Sequence, residues 1–234
     1  MKLKACDKLT IKGVLGFSLY FFITNNLALP FILLGVDVEN LSQTLQSLYI
    51  ILVQLVIIIA LINLYKDHIL KCFNDFKMNK DKYLKKYLKY WFFILIGTSL
   101  LNLIIILLNN GNIAGNEQAI RDTLKVLPIY TWVSAVLIAP LLEELVFRLS
   151  LKSVFKNKWF FILASGFIFG LFHLVGSVST MYDLLFILPY SLPGMVFAYL
   201  LWDSDNIFVP ISMHLLHNGI LMSLQFLLLL FGAL

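Results

Sequence analysis

Val136-Leu-Ile-Ala-Pro-Leu-Leu-Glu-Glu-Leu-Val-Phe-Arg-Leu-Ser150 sets two glutamates and an arginine inside an otherwise apolar run. Such a run is either the core helix of a soluble protein or a membrane span that carries charge. The surrounding sequence decides between them. Of 234 residues, 60% are hydrophobic and 13% charged, whereas a soluble domain is nearer half apolar and a quarter charged. No soluble fold of this length hides that much apolar surface, so lipid is the solvent for much of the chain.

A span needs roughly 20 apolar residues. The quoted stretch lies in a predicted span over about 127–152, and six more fall at about 13–35, 45–65, 88–109, 159–176, 183–202 and 206–232. The expected fold is therefore all-α, a polytopic transmembrane helical bundle of seven spans. It has eight if the last run breaks near Asn218–Gly219. Pro189 and Pro193 are expected to kink the sixth span, which neighbouring helices tolerate. The first run begins after a basic start and reaches Leu34, which is long for a signal-peptide core, and no small-x-small site follows it. It reads as a retained span rather than a cleaved leader. No internal repeat is visible.

The cations flank these runs. Segments 1–12, 66–89 and 148–158 hold 16 of the 18 Lys and Arg residues, leaving Arg121 and Lys125 elsewhere. With seven spans the three basic segments fall on one side, which the positive-inside rule makes cytoplasmic. The reading is a multi-pass cell-membrane protein with a cytoplasmic N-terminus. The net charge of +5 then reflects topology signals and contacts with anionic lipid, not nucleic acid. Segment 66–89, with eight lysines, reads as a short amphipathic helix on the membrane surface or as a solvated loop. Cys6 and Cys72 fit neither a metal spacing nor a disulfide framework and read as inert thiols.

A charge within the bilayer is expensive and marks function by default. Of 13 acidic residues, only Glu143 and Glu144 fall inside a span. His173, His214 and His217 also lie in apolar helices. At about 1.5 Å per residue, Glu143, His173, His214 and Asn218 stand roughly 20, 24, 13 and 20 Å above the nearest cytoplasmic turn. They can share one plane inside the hydrocarbon. Residues four apart share a helix face, so Glu144 can pair with Arg148, Phe169 lies beside His173, and His214 lies beside Asn218. Glu143 points about 100° away from Glu144 around the axis.

Three motifs emerge in order: Glu143-Glu144-Leu-Val-Phe-Arg148, Phe169-Gly-Leu-Phe-His173 and His214-Leu-Leu-His-Asn218. Together they resemble the EExxxR, FxxxH and HxxxN signature of the CPBP family of intramembrane proteases, also called the Abi or CAAX-protease family. The resemblance covers roughly residues 125–220. It divides the chain into N-terminal helices with a basic loop over 1–124 and a catalytic core over 125–234. It implies peptide-bond hydrolysis without a covalent intermediate.

The residues permit that chemistry. Glu143 can take a proton from water, and His173 can orient the water. His214 and Asn218 can donate hydrogen bonds to a developing oxyanion, each worth about 3–4 kcal/mol in a water-excluded site. Glu144 with Arg148 braces the site or contacts substrate, and Phe169 packs beside it. His217 reads as interhelical hydrogen-bond glue.

A catalytic zinc held by Glu143, His173 and His214 is the mechanistic rival, although the HExxH helix of zincins is absent. Without zinc no cofactor is required. Ala164-Ser165-Gly166-Phe167 is not a rhomboid-type serine motif and reads as helix packing. Asp183 and Asp203 fall at span ends, so a catalytic aspartate pair is missing. A transporter would need paired broken helices in two halves, and none is seen. A non-catalytic immunity or scaffold protein is the remaining alternative. The expected partners are the bilayer and a hydrophobic peptide or membrane-anchored substrate.

Overall fold

A computed structural model describes residues 5–37 and 40–232, with only the backbone described at Ala5 and Cys6. The reading of the Cys6 thiol therefore lies outside the described residues. Among the described residues the chain is all helical, with no strand. The helices are α1 (Ala5–Thr24), α2 (Leu29–Leu33), α3 (Gln43–Leu64), α4 (Lys66–Leu108), α5 (Gly115–Val126), α6 (Pro128–Val154), α7 (Lys158–Leu174), α8 (Met181–Ser204) and α9 (Phe208–Leu230).

Local chemistry places the ends. Ser42 caps α3 by accepting from the Leu45 N–H, and Asn157 caps α7 by accepting from the Phe160 N–H at 3.0 Å. Thr180 and Asp183 form a reciprocal capping box at the start of α8. Pro128 opens α6, where a missing N–H is harmless.

Five helices, α3, α4, α6, α8 and α9, are long and apolar enough to cross a membrane. The predicted runs differ from the observed helices at three places. The first run, about 13–35, is not one helix. The Asn25 and Asn26 side chains donate back to the Phe21 and Phe22 carbonyls at 2.7 Å and end α1 at Thr24. The segment 66–89 is neither a separate surface helix nor a loop. It is the first half of the 43-residue α4, which runs unbroken into the third predicted span. Finally, α9 continues through Asn218–Gly219, so the eight-span reading is not met. Pro189 lies in the first α-helical turn of α8 after its 3₁₀ start, and the helix runs on through Pro193.

The bundle exposes apolar side chains outward, as a lipid-solvated protein must. Leu45, Leu48, Leu52 and Ile59 on α3 are all more than half exposed. Inside, α7 and α8 approach most closely. A methyl group on Gly166 would sit 2.7 Å from the Met195 backbone nitrogen, so only glycine admits this crossing. Ser165, buried on α7, donates to the Phe147 carbonyl at 2.6 Å, which supports its packing reading. On the other side of α6, Gly13 of α1 lies so close to the Ser150 carbonyl that a methyl group there would meet it at 2.5 Å.

The lysine-rich ends are tied together. Asn206, in the turn before α9, donates to the Cys72 carbonyl and to Asp75, both at 2.8 Å. Tyr87 donates to Asp203 at 2.7 Å, and Lys152 reaches Asp205 at 2.6 Å. Cys72 is buried in this clasp. Asp183, at the opposite end, accepts from the Ser179 and Thr180 N–H groups and from Asn109. It works as a cap rather than as an acid.

Candidate active site

Glu143 and Glu144 follow Pro140 on α6. Pro140 has no N–H to bond the carbonyl four residues back. The backbone there widens, and the Ala139 N–H bonds to Ser134, five residues back. A second widened stretch runs over Glu144–Ser150. Such stretches are rare and often sit at functional sites. Although neighbours on a helix diverge, both carboxylates reach one imidazole. Glu144 Oε1 lies 2.9 Å from His214 Nδ1, and Glu143 Oε2 lies 3.7 Å from His214 Nε2.

The first contact is a hydrogen bond. A carboxylate only accepts, so Nδ1 carries the proton. The second is too long for one and leaves Nε2 available. Glu144 Oε2 is also 3.2 Å from Arg148 Nε, with both side chains fully buried. That contact pairs charges without the alignment of a hydrogen bond, since Arg148 Nε and both its Nη atoms lack hydrogen-bond partners. The Arg148 guanidinium instead stacks over the Phe169 ring at 4.4 Å. The i,i+4 pair predicted from the sequence is present. Arg148 is thus a buried group of the site and not one of the flanking cations among which the sequence count placed it.

Phe169 is buried, as its packing reading required. It meets Phe147 edge-on at 5.6 Å and lies 4.4 Å from the His173 ring. His173 uses Nδ1 on the Phe169 carbonyl at 2.9 Å and stacks on Tyr190 of α8 at 4.7 Å. Phe197 of α8 stacks on His214, also at 4.7 Å. Two aromatic rings on α8 therefore fix the planes of two imidazoles. The sequence reading missed Tyr190 and Phe197, since stacking partners on a third helix leave no local signature. Asn218 donates to the Ala135 carbonyl at 2.9 Å, which occupies one of its two amide hydrogens.

The glue reading of His217 is not met. Its Nδ1 is buried without a hydrogen-bond partner, and the ring faces a cavity. That cavity has a volume of about 750 Å³ and is lined by Glu143, His173, His214 and Asn218 together. Glu144 and Arg148 do not line it.

A family model described as "Type II CAAX prenyl endopeptidase Rce1-like" matches residues 125–220. Those residues are similar to the Rce1-like family. The chain is 35% identical over 121 residues to a Bacillus subtilis (strain 168) protein named "Putative membrane peptidase YdiL", covering 49% of this chain and 45% of that one. It is 33% identical over 134 residues to "UPF0177 protein YvdC" of Lactococcus lactis subsp. lactis (strain IL1403), covering 53% and 49%. The chain thus spans about half the length of the curated relatives it matches. No solved structure matches it.

The matched segment contains all three motifs, and the cavity extends beyond it. Thr98, Ser99 and Asn102 of α4 and Asn116, Glu117 and Arg121 of α5 form a further wall. Among the described residues no three His, Cys, Asp or Glu side chains converge as a metal site needs. The donors present do not fit the tetrahedral zinc centre that the alternative required.

Proposed function

We propose that this chain is an intramembrane endopeptidase of the glutamate type, cleaving a hydrophobic peptide or a membrane-anchored substrate. The carrying observation is the Glu143–His214 juxtaposition, 3.7 Å apart on the wall of a cavity that His173 and Asn218 also line. Its setting in helices long and apolar enough to span a membrane, and the family likeness of residues 125–220, support the reading.

In this mechanism Glu143 takes a proton from water, and the oxygen attacks the scissile carbonyl carbon. His173, held at Nδ1 by the Phe169 carbonyl, presents Nε2 to orient that water. The carbonyl oxygen becomes an oxyanion. Asn218 offers it the amide hydrogen not used on Ala135. His214 offers Nε2–H, which requires a second ring proton because Nδ1–H is committed to Glu144. The charge of that imidazolium is offset by the Glu144 carboxylate. Collapse breaks the C–N bond, and the proton on Glu143 passes to the leaving amine. The catalytic groups then belong to 125–234, while the helices of 1–124 supply part of the cavity wall.

The short helices α1 and α7 complete seven crossings. The 20 residues of α1 and the 17 of α7 are near the length a span needs. α1 packs along α6 and α3, and α7 along α8 and α6, rather than leaving the bundle. Seven crossings put the three lysine-rich segments on the cytoplasmic side together with the N-terminus.

The test compares membrane peptides from cells carrying wild type or Glu143→Gln at matched expression. Loss of specific cleavage products in the variant is expected. An identical peptide profile would count against protease activity, and a scaffold would keep its biological effect. Cleavage is also expected to survive thorough chelation, and its loss under chelation would return zinc to the mechanism.

A further inference from the structure

All cavity-lining residues come from one end of the bundle. They lie on the last third of α4, on residues 113–114 and α5, on the first half of α6 down to Glu143, at the end of α7, at the start of α8 and on α9 from His214 onward. None comes from the lysine-rich segment 66–89, from 150–158 or from the turn 203–207. That opposite end is closed. Leu145, Phe147, Leu149, Phe161, Leu201 and Ile207 form a continuous buried cluster beneath the site. The Asn206–Cys72, Tyr87–Asp203 and Lys152–Asp205 contacts seal it from below.

The walls of the cavity also differ. Near the closed end α4 and α9 are packed, with Trp91 and Ile94 against Val209 and Met213. Further along, both helices line the cavity. Ser99 on α4 and Leu224 on α9 line the cavity yet are exposed at the bundle surface. These exposed lining positions mark where the cavity reaches the bundle surface. Above them lies a polar rim, where Gln225 donates to Glu117 at 2.8 Å and Glu117 pairs with Arg121 at 2.8 Å. A site with an apolar side window and a polar far end suits a chain that lies in one leaflet and emerges into water on that same side.

We propose that the site takes its substrate from the extracytoplasmic side: an apolar peptide segment lodged in the outer leaflet, passing between α4 and α9 with its polar flank at the Glu117–Arg121 rim. A tail presented at the cytoplasmic face meets the sealed end and is not a substrate. This rests on the protease reading for its chemistry and on the lysine-rich segments for its orientation.

The experiment is cysteine accessibility in whole cells and in inverted vesicles. In a Cys6→Ala, Cys72→Ala background, Asn116→Cys and Ser99→Cys report the rim and the window, and Met78→Cys reports the lysine-rich face. Each is treated with a membrane-impermeant maleimide, and total thiol is measured after solubilisation in denaturant. The expected result is Asn116→Cys and Ser99→Cys labelled in intact cells and Met78→Cys labelled only in inverted vesicles. Labelling of the cavity positions only in inverted vesicles, or of all three from one side, overturns the proposal. So does a total absence of labelling at both cavity positions in protein that denaturant shows to carry the thiols. Labelling does not depend on catalysis and is repeated with Glu143→Gln. A correct labelling pattern with an unchanged peptide profile would reject the protease reading while keeping the sidedness. Altered peptides with inverted labelling would do the reverse.

Discussion

His214 Nδ1 is bound to Glu144 Oε1 at 2.9 Å, and this one bond turns the other imidazole nitrogen toward Glu143. Glu144 does not line the cavity, so it acts on the reaction through His214, as an orienting carboxylate does. Replacing Glu144 with Gln keeps the shape but removes the negative charge that offsets the doubly protonated His214 ring of the proposed mechanism. A fall in kcat of about 10²- to 10⁴-fold is expected, with KM little changed. Initial rates on peptides identified from the Glu143→Gln comparison check it. A rise in KM alone would contradict the orienting role.

Arg148 is fully buried and is balanced by Glu144 and the Phe169 ring. Arg148→Met leaves Glu144 with only His214. Removing one partner of a buried pair costs about 3–5 kcal/mol, whereas replacing both is often neutral. Thermal unfolding in detergent should show a large loss for Arg148→Met. Much of it should return in the Glu144→Gln, Arg148→Met double variant.

His217 carries a buried nitrogen with no partner. Substituting Leu removes a desolvated polar atom and breaks no hydrogen bond. Stability should stay level or rise by about 1 kcal/mol. A marked loss would mean that the ring has a structural partner after all.

The closeness of α7 to α8 depends on Gly166. In Gly166→Ala the new methyl meets backbone at Met195 N, 2.7 Å away, and backbone cannot swing aside as a side chain can. An overpacking cost of about 1–3 kcal/mol is expected. Because α7 carries His173, activity should fall with it. Unfolding and cleavage measured on the same preparation check the coupling.

The rim helix α5 is held to α9 by the Glu117–Gln225 bond. Glu117→Ala should raise amide exchange over 115–126 while leaving α8 and α9 protected. Uniformly faster exchange would show a global loss of stability instead.

The sequence alone determined the solvent, the fold class and which polar groups were out of place. Composition fixes lipid as the solvent, and period and length fix helices, because a bilayer leaves the backbone few other ways to satisfy itself. The Glu144–Arg148 pair was legible because i,i+4 neighbours meet on any helix. Helix ends were less so. The break at Asn25–Asn26 depends on side chains bonding back to carbonyls, and the continuity of α4 depends on packing against α8 and α9. Tertiary structure alone decided what surrounds each imidazole. Tyr190 and Phe197 reach His173 and His214 from another helix. The widening of α6 at Pro140 helps both glutamates face one ring, against the divergence that regular helical spacing predicts. Which end of the bundle is sealed was also invisible, because it is set by contacts between residues far apart in the chain, such as Asn206 with Cys72.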